Sequence, residues 1–213
     1  MQQLPLDIAP PEAPDFDNYI PGANAEAFAR VRDLAAGTLR ESILYLWGER
    51  GSGRTHLLRA AARVNGGITI ADDVHTLDAN AQHALFVAIN AAREGRGGVL
   101  AAGDQPPSLL ALREDLRTRL AWGLVYQLHP PGEELKALHL KRLAARRGLE
   151  MPDEVAAYLL ARLPRDLASL EALMQLLDKH SLARQRALTL PLVREVLAGY
   201  DASAGAPRQA KGP

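Results

Sequence analysis

The stretch Gly48-Glu49-Arg50-Gly51-Ser52-Gly53-Arg54-Thr55 lies between an apolar run, Ile43 to Trp47, and a helix-forming segment, His56 to Ala62. No other feature constrains the fold as strongly. A buried strand that passes through a glycine-rich turn into a helix start gathers backbone N–H groups around one point, and the helix dipole adds partial positive charge there. The spacing fits a phosphate loop of the form G-x-x-x-x-G-K-[ST], with Thr55 placed to hold Mg²⁺ through its hydroxyl. Candidate phosphate contacts are therefore Gly48, Gly51, Ser52, Gly53, Arg54, Thr55 and His56. Arg54 stands where the motif has lysine; arginine keeps the charge but is bulkier and forked, which suits holding a diphosphate better than positioning a γ-phosphate for attack. Binding is the expectation here, ahead of turnover. The alternative is a flexible glycine turn between a core strand and a helix.

A second short apolar segment, Ile68-Thr69-Ile70-Ala71, ends in Asp72 and Asp73. At the carboxyl end of a buried central parallel strand such a pair sits beside the phosphate loop, where Asp72 can order a Mg²⁺ shell and Asp73 can orient water. A strand-end turn capped by aspartate is the alternative. Between the helix after the loop and this strand stand only Asn65-Gly66-Gly67, a helix stop. The helix supplies the crossover that two parallel strands need. Further helices are expected at about 80–93, 133–147, 152–162, 165–180 and 190–197, with a strand near 99–104.

Composition narrows the class. The 213 residues are 47% hydrophobic, enough for a core, and contain no cysteine, so disulfide and thiolate chemistry are excluded. Lysine plus arginine equals aspartate plus glutamate at 25 each, which gives no global pull toward nucleic acid. No apolar stretch is long enough to span a bilayer and no leader pattern follows Met1, so a cytoplasmic protein with no membrane contact is expected.

Several segments together resemble the DnaA/Hda family of AAA+ proteins, the bacterial replication initiator and its short paralogue. Phe16-Asp17-Asn18-Tyr19-Ile20-Pro21-Gly22 with Asn24 resembles the family segment just upstream of the phosphate loop, which packs against adenine. Carried over, Tyr19, Ile20 and Pro21 line a base pocket, with Asn24 near the helix start; a capped helix with an aromatic staple is the plainer reading. Asp72 then falls in a Walker B segment and Asp73 at the place of a catalytic acid. Asp104-Gln105-Pro106-Pro107 resembles the family's D-R-P-P, which makes Asp104 the sensor 1 candidate. Arg117-Thr118-Arg119-Leu120-Ala121-Trp122-Gly123 resembles its S-R-L-x-W-G, whose arginine acts on nucleotide held by a neighbouring subunit; that residue is Arg119. A helical arginine paired with Glu114 or Asp115 is the alternative, and is the preferred reading for Arg113 and Arg117. Arg165, in Leu163-Pro164-Arg165-Asp166, matches the sensor 2 segment. In the first tail, Gln3-Leu4-Pro5-Leu6-Asp7-Ile8 resembles the peptide with which bacterial replication proteins bind the sliding clamp, so Gln3, Leu4, Leu6 and Ile8 are clamp-contact candidates.

The resemblance implies an α/β AAA+ P-loop core with a mainly parallel sheet over 16–130, shortened by one βα unit, and a small all-α lid over 131–198. An extended tail over 1–15 and a disordered tail over 199–213 flank them. It further implies a negative regulator of replication initiation that binds ADP or ATP with Mg²⁺. Such a chain docks on the DNA polymerase III sliding clamp (beta), touches DNA only indirectly, and stimulates hydrolysis of DnaA-bound ATP through Arg119 with weak or no ATPase of its own. Homo-oligomerisation is compatible with the family. An independent ATPase resembling a helicase loader, or an adaptor without nucleotide function, would share much of this pattern.

Overall fold

The computed structural model describes residues 13–162, Met174, Leu177 and 188–203. The chain divides into two compact units between Pro131 and Gly132. The first is built on four parallel strands, β1 (Ile43–Trp47), β2 (Ile68–Ala71), β3 (Gly98–Gly103) and β4 (Leu124–Gln127), in the order β2-β3-β1-β4. Its helices are α1 (Ala25–Ala36), α2 (Arg54–Val64), α3 (Ala79–Arg93) and α4 (Glu114–Leu120).

The uninterrupted apolar character of β1 and β3 follows from cover on both faces. Alternate residues point to opposite sides of a strand. Leu44, Leu46, Leu100 and Ala102 join a core with Val31 and Leu34 of α1 and Leu57, Leu58 and Ala61 of α2. Ile43, Tyr45, Val99 and Ala101 join a second core with Leu85 and Ile89 of α3 and Leu116 and Leu120 of α4. Helix ends match their sequence signals: Gly37 adopts φ 71° and returns its N–H to Asp33 and Leu34, stopping α1. Asp78 opens α3 by accepting a hydrogen bond from the Ala81 N–H at 2.8 Å.

One expectation is corrected. The strand leading to Asp72 was expected to be central and buried, but β2 lies at the sheet edge, pairing with β3 alone among the described residues, with Ile68 buried and Thr69 exposed. The short connection after α2 explains this: Asn65 holds the turn by accepting the Gly67 N–H at 2.9 Å, and no further strand is inserted that would flank β2. The shortening expected from the sequence thus leaves the strand that carries Asp72 and Asp73 as the outermost one.

The second unit contains α5 (Glu133–Arg146), α6 (Asp153–Arg162) and α7 (Leu190–Ser203). They share a core of Leu140, Leu143, Val155, Leu159 and Val193, which also buries Met151, Met174 and Leu177. The helix expected over 165–180 lies outside the described residues apart from Met174 and Leu177.

The glycine after Trp122 has a steric reason. A Cβ on Gly123 would stand 2.1 Å from the Ile43 carbonyl oxygen, so the chain can enter β4 beside β1 only without a side chain there. Gly123→Ala is expected to destabilise the first unit by about 1–3 kcal/mol or more, the range of overpacked interiors. Urea unfolding checks this, and an unchanged midpoint would contradict the close approach.

Candidate functional site

The phosphate loop leaves β1 at Trp47 and is pinned at once. The Leu128 N–H donates to the Trp47 carbonyl at 2.6 Å, and a Cβ on Gly48 would lie 2.2 Å from the Leu128 carbonyl oxygen. The loop then turns through Gly51 (φ 84°) and Gly53 (φ 93°), both in the left-handed region that glycine enters without strain. Gly53 caps α2, whose first N–H groups have no acceptor within the helix and face the loop. Among the described residues two buried polar atoms have no hydrogen-bond partner, Ser52 Oγ and Arg54 Nη1. Unpaired buried donors are costly. A polyanion seated in the loop supplies acceptors for both, so the residues present fit a nucleotide phosphate.

Beside the loop, the Thr55 hydroxyl donates to Asp72 Oδ2 at 2.6 Å. These two side chains fit a Mg²⁺ that arrives with phosphate oxygens, because Mg²⁺ keeps several waters and needs few protein ligands. No group of three or more histidine, cysteine, aspartate or glutamate side chains suited to a metal occurs among the described residues. Asp73 stands apart in conformation, the one non-glycine among the described residues with positive φ (44°). Its carbonyl accepts from the Thr76 N–H and hydroxyl, each at 2.8 Å, and its carboxylate Oδ1 lies 3.6 Å from Arg54 Nη2. One arm of the Arg54 fork is thus engaged by Asp73 while the other stays buried and unpaired.

Asp104, at the end of β3, has Oδ1 3.4 Å from His75 Nδ1, a partner that sequence reasoning missed although it follows Asp73 by two positions. Tyr45, wholly buried beneath them, donates its hydroxyl to the Gln105 carbonyl at 2.8 Å. Burial pushes its phenol well above the usual range; Asp104 adds to the rise and Arg54 opposes it.

The upstream segment docks on the same loop. Tyr19 stacks on Phe28 (centroids 5.3 Å, planes 8° apart), lies against His56 at 5.4 Å, and closes over Gly53, where a Cβ would come within 2.8 Å of its ring. His56 Nε2 is 2.8 Å from the Asp15 carbonyl. Buried Asn24 accepts the His129 N–H at 2.8 Å, donates to the His129 carbonyl at 2.8 Å and reaches the Tyr19 hydroxyl at 3.3 Å. Burial raises the Tyr19 phenol, partly offset by this bond from Asn24. Ile20 and Pro21 are half-buried next to it, the Pro21 carbonyl accepting from the Asn24 N–H at 2.7 Å. Tyr19, Ile20, Pro21, His56, Thr55, Asp72 and Asp73 therefore come together around or beside the loop.

Arg119 sits on α4, away from these hydrogen bonds, against α3. Its Nε donates to Asn90 Oδ1 at 2.9 Å and its Nη1 to the Asp115 carbonyl at 3.2 Å. Arg113 pairs with the Asp115 carboxylate, Nε to Oδ1 at 3.2 Å and Nη2 to Oδ2 at 2.6 Å, which matches the plain reading of Arg113. Those bonds hold the Asp115 carboxyl below its ordinary range. Gln3, Leu4, Leu6, Ile8 and Arg165 lie outside the described residues.

Comparison with known proteins agrees with this geometry. The family described as the Hda lid domain matches residues 133–197. An uncharacterized protein of Haemophilus influenzae is 32% identical over 228 residues, covering 92% of this chain and 98% of its own length. The chain belongs to the DnaA/Hda family. Its fold is similar to domain III of the Thermotoga maritima replication initiation protein DnaA, with a TM-score of 0.73, 20% identity and coverage of 90% of this chain and 99% of that one. It is also similar in fold to AMPPCP-bound DnaA from Aquifex aeolicus, with a TM-score of 0.65, 20% identity and coverage of 84% and 69%. The α/β AAA+ class expected from the sequence is thereby established. Among the described residues no helix is long and apolar enough to cross a membrane.

The Arg54–Asp73 pair makes a testable statement about the loop. Asp73→Asn releases the second arm of Arg54, so Mg²⁺–ADP is expected to bind about 2- to 5-fold more tightly by titration calorimetry, the scale of a partly exposed ion pair. Weaker binding would show that Asp73 supports the ligand instead of competing for Arg54.

Proposed function

We propose that this chain is a negative regulator of replication initiation that holds an adenine nucleotide as a structural ligand and stimulates hydrolysis of ATP bound to DnaA. The observation that carries the reading is the state of Arg119: both of its hydrogen bonds go to neutral acceptors, the Asn90 amide and a backbone carbonyl, while the Asp115 carboxylate on the same helix is taken by Arg113. Its guanidinium therefore makes no hydrogen bond to a carboxylate among the described residues, which leaves N–H donors for a ligand outside its own unit.

Two groups of residues divide the work. The loop from Gly48 to Thr55, with Ser52 Oγ and Arg54 Nη1 as uncommitted polar atoms, holds the diphosphate of ADP or ATP, and Tyr19, Ile20 and Pro21 cover the base. Bound Mg²⁺ supplies charge neutralisation of the phosphates, with Thr55 and Asp72 as its protein-side contacts. Asp104, beside His75 at the end of β3, is the sensor 1 candidate, and Arg165, outside the described residues, the sensor 2 candidate. Asp73 is bound to Arg54, which favours retention of the nucleotide over its hydrolysis by this chain. Arg119 then acts in trans. Its guanidinium neutralises charge that develops on the phosphoryl group of ATP in DnaA as water attacks, an effect worth roughly 10³–10⁵ in rate.

The first tail provides the tether. Gln3, Leu4, Leu6 and Ile8 dock on the beta sliding clamp as an extended peptide, bringing the regulator to clamp-loaded DNA with no direct DNA contact. Tethering raises the effective concentration of Arg119 near DnaA without new contacts in the core. Single-turnover hydrolysis of ATP pre-bound to the cognate DnaA, with clamp loaded on DNA, tests both parts. The intact chain is expected to accelerate hydrolysis, Arg119→Ala to lose roughly 10³-fold of that acceleration, and removal of residues 3–8 to abolish the clamp dependence. Full stimulation by Arg119→Ala would overturn the reading.

A further inference from the structure

The surroundings of Arg119 are more specific than a solvent-exposed finger requires. Its guanidinium carbon lies 4.0 Å from the centroid of the Phe86 ring on α3 and 4.9 Å from that of Trp122, which follows α4. Phe86 and Asn90 are one helical turn apart on α3, so the ring and the amide that accepts from Nε present themselves on one face. Arg93 also lies over Trp122, at 4.2 Å, which steadies the indole although 43% of that residue is exposed. The planar fork is thus held by two ring faces and by two acceptors at its Nε and Nη1, leaving Nη2 and the outer N–H bonds uncommitted.

Charge is preserved by the same arrangement. Asp115 precedes Arg119 by four positions on α4, the spacing at which helical ion pairs form. Arg113 bonds both oxygens of that carboxylate, so the hydrogen bond from Arg119 goes to the Asp115 carbonyl and the carboxylate acts on it only through space. Ring faces attract a cation without neutralising it. A cation fixed in orientation and not paired with an anion is what stabilisation of developing phosphoryl charge needs, because no reorganisation is then required during the reaction.

We propose that Phe86, Asn90 and Trp122 are positioning residues that pre-orient the Arg119 guanidinium for an anionic phosphoryl group on a partner, with Arg113 taking the hydrogen bonds of the Asp115 carboxylate. This rests on the arginine-finger reading above and adds a specific claim to it: the orientation is built within the chain before any partner arrives.

The test measures stimulation of ATP hydrolysis in clamp-tethered DnaA as a function of regulator concentration, using the full chain. Phe86→Leu, Trp122→Leu and Asn90→Ala are each expected to lower the maximal stimulated rate by about 10- to 100-fold, as displaced catalytic groups do. The half-saturating concentration should stay within about 2-fold, since positioning does not alter encounter. Phe86→Tyr and Trp122→Phe, which keep a ring face, should restore the maximal rate. A direct readout needs no DnaA: in the isolated chain the Arg119 Nε–H proton should exchange slowly and resonate upfield of a solvated arginine, and both properties should vanish in Phe86→Leu. Each variant is first checked for an unchanged melting temperature, and the proton spectrum decides for any that fails. If Arg119→Ala abolishes stimulation while the three truncations keep the full maximal rate, the cradle is overturned and the finger stands. If half-saturation rises instead at constant maximal rate, Trp122 and Phe86 are partner contacts and the positioning claim fails. If Arg119→Ala stimulates fully, the finger reading itself falls and takes the cradle's role with it.

Discussion

Both candidate sites depend on β1 being paired on its two edges. Parallel registers with β3 and β4 fix Ile43 to Trp47 along nearly their whole length, and the Leu128 N–H bond to the Trp47 carbonyl extends that hold to the point where the phosphate loop begins. Gly48 then passes too close to the Leu128 carbonyl for any side chain, so the loop starts in one place and in one direction. The same strand fixes the other site from behind: Gly123 closes on the Ile43 carbonyl, which sets where α4 ends and where Trp122 stands. A short central strand thereby positions an anion loop at one end and an arginine surface beside it, with no need for either site to organise itself.

A four-stranded sheet suffices for the same reason. Pairing energy in a sheet belongs to neighbouring strands, and the two strands that flank β1 are both retained. β2 is the outermost strand: Thr69 is exposed and the strand has one partner among the described residues. Asp72 is nevertheless held, because Thr55 reaches it from α2 by a hydrogen bond that does not run through the sheet. Short edge strands are also a poor template for unwanted pairing, and β2 has only four residues.

Much of this was legible because several local signals agreed. The loop, its helix, the stop at Asn65 and the helix between Asp78 and Glu94 are set by glycine, capping and periodicity, all properties of adjacent residues. The place of β2 was not legible in the same way: a four-residue apolar run reads alike at the centre or the edge of a sheet, and only the neighbours decide. The partners of the site residues were hidden for a related reason. His75 beside Asp104, Asn90 beside Arg119 and His129 beside Asn24 are separated in sequence by 29 positions or more in each case. Only the spacing of Phe86 and Asn90 on one helix face carried a hint, and it became informative once Arg119 was placed against it.

The arginines at the two sites have opposite electrostatic settings, and this difference organises the chemistry. Arg54 shares its charge with Asp73, an arrangement that moderates its pull on an anion. Arg119 makes no hydrogen bond to the Asp115 carboxylate, which Arg113 holds, and rests on ring faces that leave its charge intact. A paired cation suits a ligand that is held and not consumed, while an unpaired and pre-oriented one suits charge that exists only at the transition state. On the proposed function, exchanging the two settings, by freeing Arg54 and pairing Arg119, would therefore be expected to tighten phosphate binding at the loop and to remove the stimulation of a partner's hydrolysis.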